Sequence, residues 1–107
     1  MNSFDDRQDR FEKEFAHSAE LQFKVDARRN KLVGLWAAEL LGKSGDEAAE
    51  YAKSVVIADL EEAGDEDVFR KLRADLDQAP KPVSDKEIRS KMDELMPVAK
   101  QQIRDGA

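Results

Sequence analysis

Cysteine is absent from this chain of 107 residues, which excludes disulfides, thiolate nucleophiles and thiolate metal sites together. Glycine and proline total only eight, and β-branched residues are few, so the turns and pleated strands of a β protein have little to be built from. Long apolar runs are missing as well. The most apolar stretch, LVGLWAAELL, is ten residues long with Glu39 inside it, too short to span a bilayer, and no basic and apolar leader opens the chain. A cytosolic location and no membrane insertion are the default expectation. The positive field that phosphate backbones require is also lacking, because the formal charge is -6, so nucleic acid is not an expected partner.

Charge and helical periodicity are abundant instead. Charged residues make up 39% and hydrophobic residues 40%, enough for one modest core and one domain with extensive solvated faces. Gly42 stops one helical pattern, and Ser44 with Glu47 reads as an S-x-x-E capping box that starts the next. Gly64 stops that pattern and Asp65 is the N-cap of a third. Pro80-Lys81-Pro82 then forbids helix, and Ser84 with Glu87 is a second capping box. The expectation is an all-α protein with helices at roughly residues 20–41, 46–63, 66–78 and 85–104. Short loops make consecutive helices antiparallel neighbours in a small four-helix bundle.

Each helix carries an apolar stripe. The first has Leu21, Val25, Leu32, Leu35, Trp36 and Leu40; the second has Ala49, Ala52, Val56, Leu60 and Ala63. The third has Val68, Phe69, Leu72 and Leu76, and the fourth Ile88, Met92, Leu95, Ala99 and Ile103. Trp36, if fully buried, would cost about 3 to 5 kcal/mol on replacement by Ala. Pro97 falls inside the last helix and predicts a kink there. The echo of SGDEAAEYAK in AGDEDVFRKL reuses one start signal and is not a solenoid repeat.

Candidate chemistry is sparse. Gly42-Lys43-Ser44 imitates the end of a phosphate-binding loop, but the first glycine of that motif would fall on Ala37, within helix. Asp65-Glu66-Asp67 imitates the start of a calcium loop, but Phe69 and Arg70 stand where further oxygen ligands and glycine belong. The single histidine, His17, has no patterned nucleophile beside it and reads as solvated, so no enzyme is expected. Arg29 and Asp59 interrupt the apolar stripes of the first two helices; they either meet as an internal ion pair or reach separately to the bundle edge. Lys24, Arg28 and Lys31 line another face of the first helix. That face is either solvated or a weak anion site, for instance for the phosphates of ATP or ADP in a nucleotide-responsive adaptor, with Trp36 as a stacking surface.

Ahead of the four helices lies FDDRQDRFEKEFAHS, in which Phe4, Phe11 and Phe15 recur at helical spacing among eight charged residues. So short a helix is marginal in water and must dock on its own protein or on another. The order FDDR, F-A-H, Q-F-K, ARRNKL, GLWAAELLGK and AGDEDVF resembles the zeta subunit of alphaproteobacterial F-type ATP synthases, from the leader to about residue 76, with a looser match over the last helix. The resemblance implies a four-helix regulatory protein that blocks ATP hydrolysis by the soluble catalytic head of the synthase. In that family the N-terminal segment is inhibitory and wedges between catalytic subunits, similarly to the mitochondrial inhibitor protein. Carried over, residues 1–19 form a mobile inhibitory segment and 20–107 a four-helix body. Partner contacts fall to Phe4, Asp5, Asp6, Arg7, Arg10, Phe11 and Phe15, read as an amphipathic helix laid into a groove. No cofactor is required, the free protein is expected to be a monomer, and its place is cytoplasmic, peripheral to the inner membrane through the synthase.

Overall fold

The computed structural model describes residues 19–60 and 65–106. They form four helices: α1 (Ala19–Leu40), α2 (Gly45–Ala58), α3 (Glu66–Leu76) and α4 (Asp85–Arg104). Three of the four expected helices hold both boundaries within two residues. The second helix is shorter than expected, ending at Ala58 with Asp59 as C-cap and the Leu60 amide donating to the Ile57 carbonyl at 3.0 Å. Gly64 and Ala63 lie outside the described residues.

The turn after α1 shows why Gly42 stops it. Gly42 adopts φ +79, the left-handed region where a Cβ is unfavourable. Its amide donates to the Glu39 carbonyl at 3.1 Å and the Lys43 amide to the Ala38 carbonyl at 2.8 Å, which is a Schellman closure. The two expected capping boxes part company. Ser84 accepts from the Glu87 amide at 3.1 Å and its hydroxyl donates to the Glu87 carboxylate at 3.3 Å. Ser44 occupies the N-cap position of α2 but makes no side-chain cap bond, so its box with Glu47 does not form. The helix continues through Pro97, which is exposed.

All consecutive helices run antiparallel. Asn30 of α1 meets Asp59 at the end of α2, Tyr51 of α2 bonds Asp75 of α3, Arg73 of α3 reaches Asp85 at the start of α4, and Arg28 of α1 bonds Gln102 near the end of α4. α1 packs on the other three helices, most extensively on α2 and α4. The core joins Val33 and Ala37 of α1, Val55 of α2, Val68, Leu72 and Leu76 of α3, and Ile88 and Met92 of α4, with Val83 of the proline linker closing one side.

The stripes of α3 and α4 lie inward or at the core edge as expected, with Val68, Leu72, Leu76, Ile88, Met92 and Ala99 buried. Those of α1 and α2 need rotation. Leu35, Leu60 and Ala49 are exposed, whereas Val33, Ala37, Ala38 and Val55 are buried. Small residues make this seam: a Cβ added to Gly34 would lie 2.7 Å from the Ala52 Cα, so the backbones of α1 and α2 approach too closely for a side chain. Gly34→Ala is therefore expected to destabilise the body by about 1 to 3 kcal/mol despite its better helix propensity, because the clashing atom is backbone. Chemical denaturation of the two proteins side by side measures it.

Trp36 sits at the core edge between α1 and α4, partly exposed, with the Lys91 ammonium 5.8 Å from the ring centroid. Full burial was the condition for the larger cost. Trp36→Ala is expected to lower stability by about 2 to 3 kcal/mol, read from the shift in thermal unfolding.

Candidate functional site

The residues expected to contact a partner, Phe4, Asp5, Asp6, Arg7, Arg10, Phe11 and Phe15, lie outside the described residues, as does His17. What the structure shows is the body to which that segment is joined at Ala19. Its basic stripe is divided among different tasks. The Lys24 ammonium lies 3.4 Å from Glu20 one turn earlier. Arg28 is drawn into the α1–α4 seam, donating to the Gln102 side-chain carbonyl at 2.9 Å, while Lys31 stands exposed. Trp36 lies along the α1–α4 packing beneath Lys91. Lys24 and Arg28 thus already hold partners of their own, and an incoming phosphate would have to compete with Glu20 for one of them.

The acidic run divides similarly. Asp65 precedes α3 as N-cap but caps nothing with its side chain; its carboxylate accepts from Arg29 at 2.6 Å. Asp67 pairs with Arg70, and Glu66 accepts from Arg89 at 3.1 Å. Among the described residues no cluster of histidine and carboxylates is arranged to hold a metal ion, and no helix is long and apolar enough to cross a membrane.

The most unusual chemistry lies where α1, α2 and the start of α3 meet. Arg29 is 1% exposed, a buried cation that must be paired to be tolerated. The expectation was either an internal pair with Asp59 or separate reach to the bundle edge; the direct partner is Asp65, with Asp59 close enough to feel the same charge. Asp59 is the C-cap of α2, and Asp65, at the start of α3, lies against α1 where it takes the guanidinium. Arg29 Nε also donates to Asn30 Oδ1 at 2.7 Å. Asn30 is fully buried, and its Nδ2 faces Asp59 in a contact short of a full hydrogen bond, leaving that donor without a partner. Burial pushes the Asp26 and Asp59 carboxyls above the usual carboxylate range, Asp65 adds to both shifts, and Arg29 opposes them. Asn30 was not singled out by sequence reasoning, and Asp65 was read as an N-cap and not as a partner of Arg29; the available signal for Asn30 was a second polar residue next to Arg29 on a buried face.

A second polar node joins α2 to α3. The Tyr51 hydroxyl donates to Asp75 at 2.8 Å, and the Lys71 ammonium lies 3.0 Å from the same carboxylate and 5.3 Å from the Tyr51 ring centroid. Burial first, then the bond to Asp75, pushes the Tyr51 phenol upward, so it stays a neutral donor. Arg89 lies 3.8 Å from the Phe69 ring centroid on the opposite side of α3. These side chains are engaged in holding helices together, and the body has the character of a scaffold.

No curated protein matches the chain. A solved structure, titled "Solution NMR structure of the protein", is similar over 81% of this chain and 99% of its own, with 59% identity and a TM-score of 0.72. The family described as ATPase inhibitor subunit zeta matches residues 1–102, which takes in the leader as well as all of α1, α2 and α3 and most of α4. The chain belongs to the ATPase inhibitor subunit zeta family.

Proposed function

We propose that this protein inhibits ATP hydrolysis by the catalytic head of an F-type ATP synthase through its N-terminal segment, residues 1–19, with residues 20–107 serving as the body that carries it. The observation that supports this reading most is a division of labour. Every buried apolar side chain among the described residues lies between Val25 and Ala99, and the four helices gather these into one core. Yet the family match begins at residue 1. A segment that the family includes, with three rings at helical spacing ahead of the four helices, suits a partner's groove.

Phe4, Phe11 and Phe15 are the anchors of that segment, entering a groove between catalytic subunits as one face of a helix, with Asp5, Asp6, Arg7 and Arg10 at the rim. Ordering the segment on binding has an entropic cost that burial of three rings must exceed. The protein acts as a regulatory, non-catalytic subunit in the cytoplasm, peripheral to the membrane through the synthase, and is a monomer when free. The direct test is an ATPase assay on synthase head from the same organism, with and without the full chain. Loss of hydrolysis supports the reading, and unaltered hydrolysis at saturating protein overturns it.

A further inference from the structure

We propose that the end of the body where α1 begins and α2 stops is a second contact surface for the catalytic head, on which Phe23, Ile57 and Leu60 seat against the mouth of the groove that receives the leader. The inference rests on the leader reading given above and extends the contact from that segment to the body itself.

Placement carries it. Among the described residues the large apolar side chains left exposed are Phe23, Leu35, Ile57, Leu60 and Val98. Single exposed apolar residues are ordinary, so their distribution is what matters. α1 and α2 run antiparallel and come closest where Gly34 meets Ala52. At about 1.5 Å per residue, Phe23 lies about 16 Å from that crossing along α1, and Ile57 about 8 Å from it along α2 in the same direction. Leu60 stands in the turn just beyond, its amide bonded to the Ile57 carbonyl at 3.0 Å. Exposures of 55%, 51% and 59% for Phe23, Ile57 and Leu60 exceed those of Leu35 and Val98, so the more exposed three share one end. The opposite end, formed by the turns at Gly42 and at Pro80-Lys81-Pro82, holds none of the five.

The tether selects the occupant. The leader joins the body at Ala19, and its last anchor, Phe15, is eight residues before Phe23. Eight residues reach at most about 28 Å even when fully extended. With Phe15 seated in the head, the Phe23 end of the body is held within that distance of the groove, while Gly42 stands about 28 Å further along α1. The end that the tether presents to the head is thus the end with apolar side chains in water. Gln22, Lys24 and Lys53, all exposed, supply polar groups beside them, which is the apolar centre and polar rim of an interface. Held there by the leader, even a weak body contact acts at high local concentration and chiefly slows release.

The experiment measures inhibition of ATP hydrolysis by synthase head from the same organism, using the full chain as wild type, Phe23→Gln/Leu60→Gln, Val98→Gln and Phe11→Ala/Phe15→Ala, each checked by thermal unfolding. The Phe23→Gln/Leu60→Gln protein should unfold as wild type does and lose about tenfold in inhibition through faster dissociation, and Val98→Gln should lose none. Amide hydrogen exchange of wild type adds a reading that needs no variant: residues 55–60, remote in sequence from the leader, should exchange more slowly on the head, and residues 79–83 should not. A Phe23→Gln/Leu60→Gln protein that inhibits like wild type overturns the proposal, as does unchanged exchange at 55–60. Stronger inhibition by that variant also overturns it, since the patch would then hold the leader back. Self-association of free wild type that this variant abolishes would make a second copy the occupant, with the same result. Wild type that does not inhibit at all defeats the leader reading and this inference with it. Inhibition lost in Phe11→Ala/Phe15→Ala but kept in Phe23→Gln/Leu60→Gln defeats this inference alone.

Discussion

Deletion of residues 2–16 is expected to abolish inhibition of ATP hydrolysis while leaving thermal unfolding of the body nearly unchanged. Both halves follow from the same separation, since the core spans Val25 to Ala99 and the expected anchors precede it. Single Phe→Ala changes at positions 4, 11 and 15 should be graded. An anchor central to a groove loses about 2 kcal/mol or more of binding, roughly thirtyfold in affinity, whereas a ring left in water loses almost nothing. The charged residues between them should act mainly on association rate and fade with added salt. Inhibition titrations against synthase head from the same organism, paired with thermal unfolding of each variant, supply both measurements. A truncated chain that inhibits as well as the full one would remove the leader from the mechanism altogether.

Replacing Arg29 should cost as much stability as truncating a large apolar side chain of the core. Arg29→Met preserves much of the apolar stem but removes the buried charge, leaving Asp65, Asp59 and Asp26 without their common cation. Breaking a buried pair from one side typically destabilises by about 3 to 5 kcal/mol. The Asp65 side chain is 53% exposed and water can resolvate it, which places the expectation near the lower end, about 3 kcal/mol. The sign of the pH response provides an internal check. Arg29 opposes the upward shifts of Asp26 and Asp59 beside Gln22 and Asn30, so its loss should raise both carboxyls further. A carboxyl raised by folding binds its proton more tightly in the folded chain than in the unfolded one, so the variant should recover more stability on acidification than wild type does. Urea unfolding at neutral and mildly acidic pH measures both effects, and an Arg29→Met protein as stable as wild type would show that the guanidinium is dispensable.

How far the fold could be read from the sequence depended on what each helix buries. α3 and α4 pack one face inward with branched or long side chains, so counting large apolar residues at helical spacing found Val68, Leu72, Leu76, Ile88 and Met92 directly. α1 packs on three neighbours, and its closest approach, to α2, is made by the absence of side chain at Gly34 opposite Ala52. Hydrophobic bulk is then a misleading guide: Leu35 and Leu60 are conspicuous and exposed, Ala37 and Ala52 inconspicuous and buried. Buried Arg29 was legible as an anomaly on an apolar stripe, but its partner, Asp65, lies 36 residues on at the start of α3, where the sequence shows only an N-cap. The leader was legible by a different route, through motif order across the chain, and the family match extends over it.

The pairing of α1 with α4 has a consequence for how the chain is made. Arg28 and Gln102 are 74 residues apart in sequence, so α1, made earlier, waits on the ribosome for α4, made later. α1 and α2 can zip together while translation proceeds, because the Gly34–Ala52 seam spans a short connection. The side of α1 destined for α4 stays uncovered until the terminal residues are released. Shortening the chain ahead of Ala99 should thus yield a collapsed but sticky species rather than a smaller stable protein. In the cell that interval, rather than the finished fold, is when the polypeptide is most exposed to proteases and to aggregation.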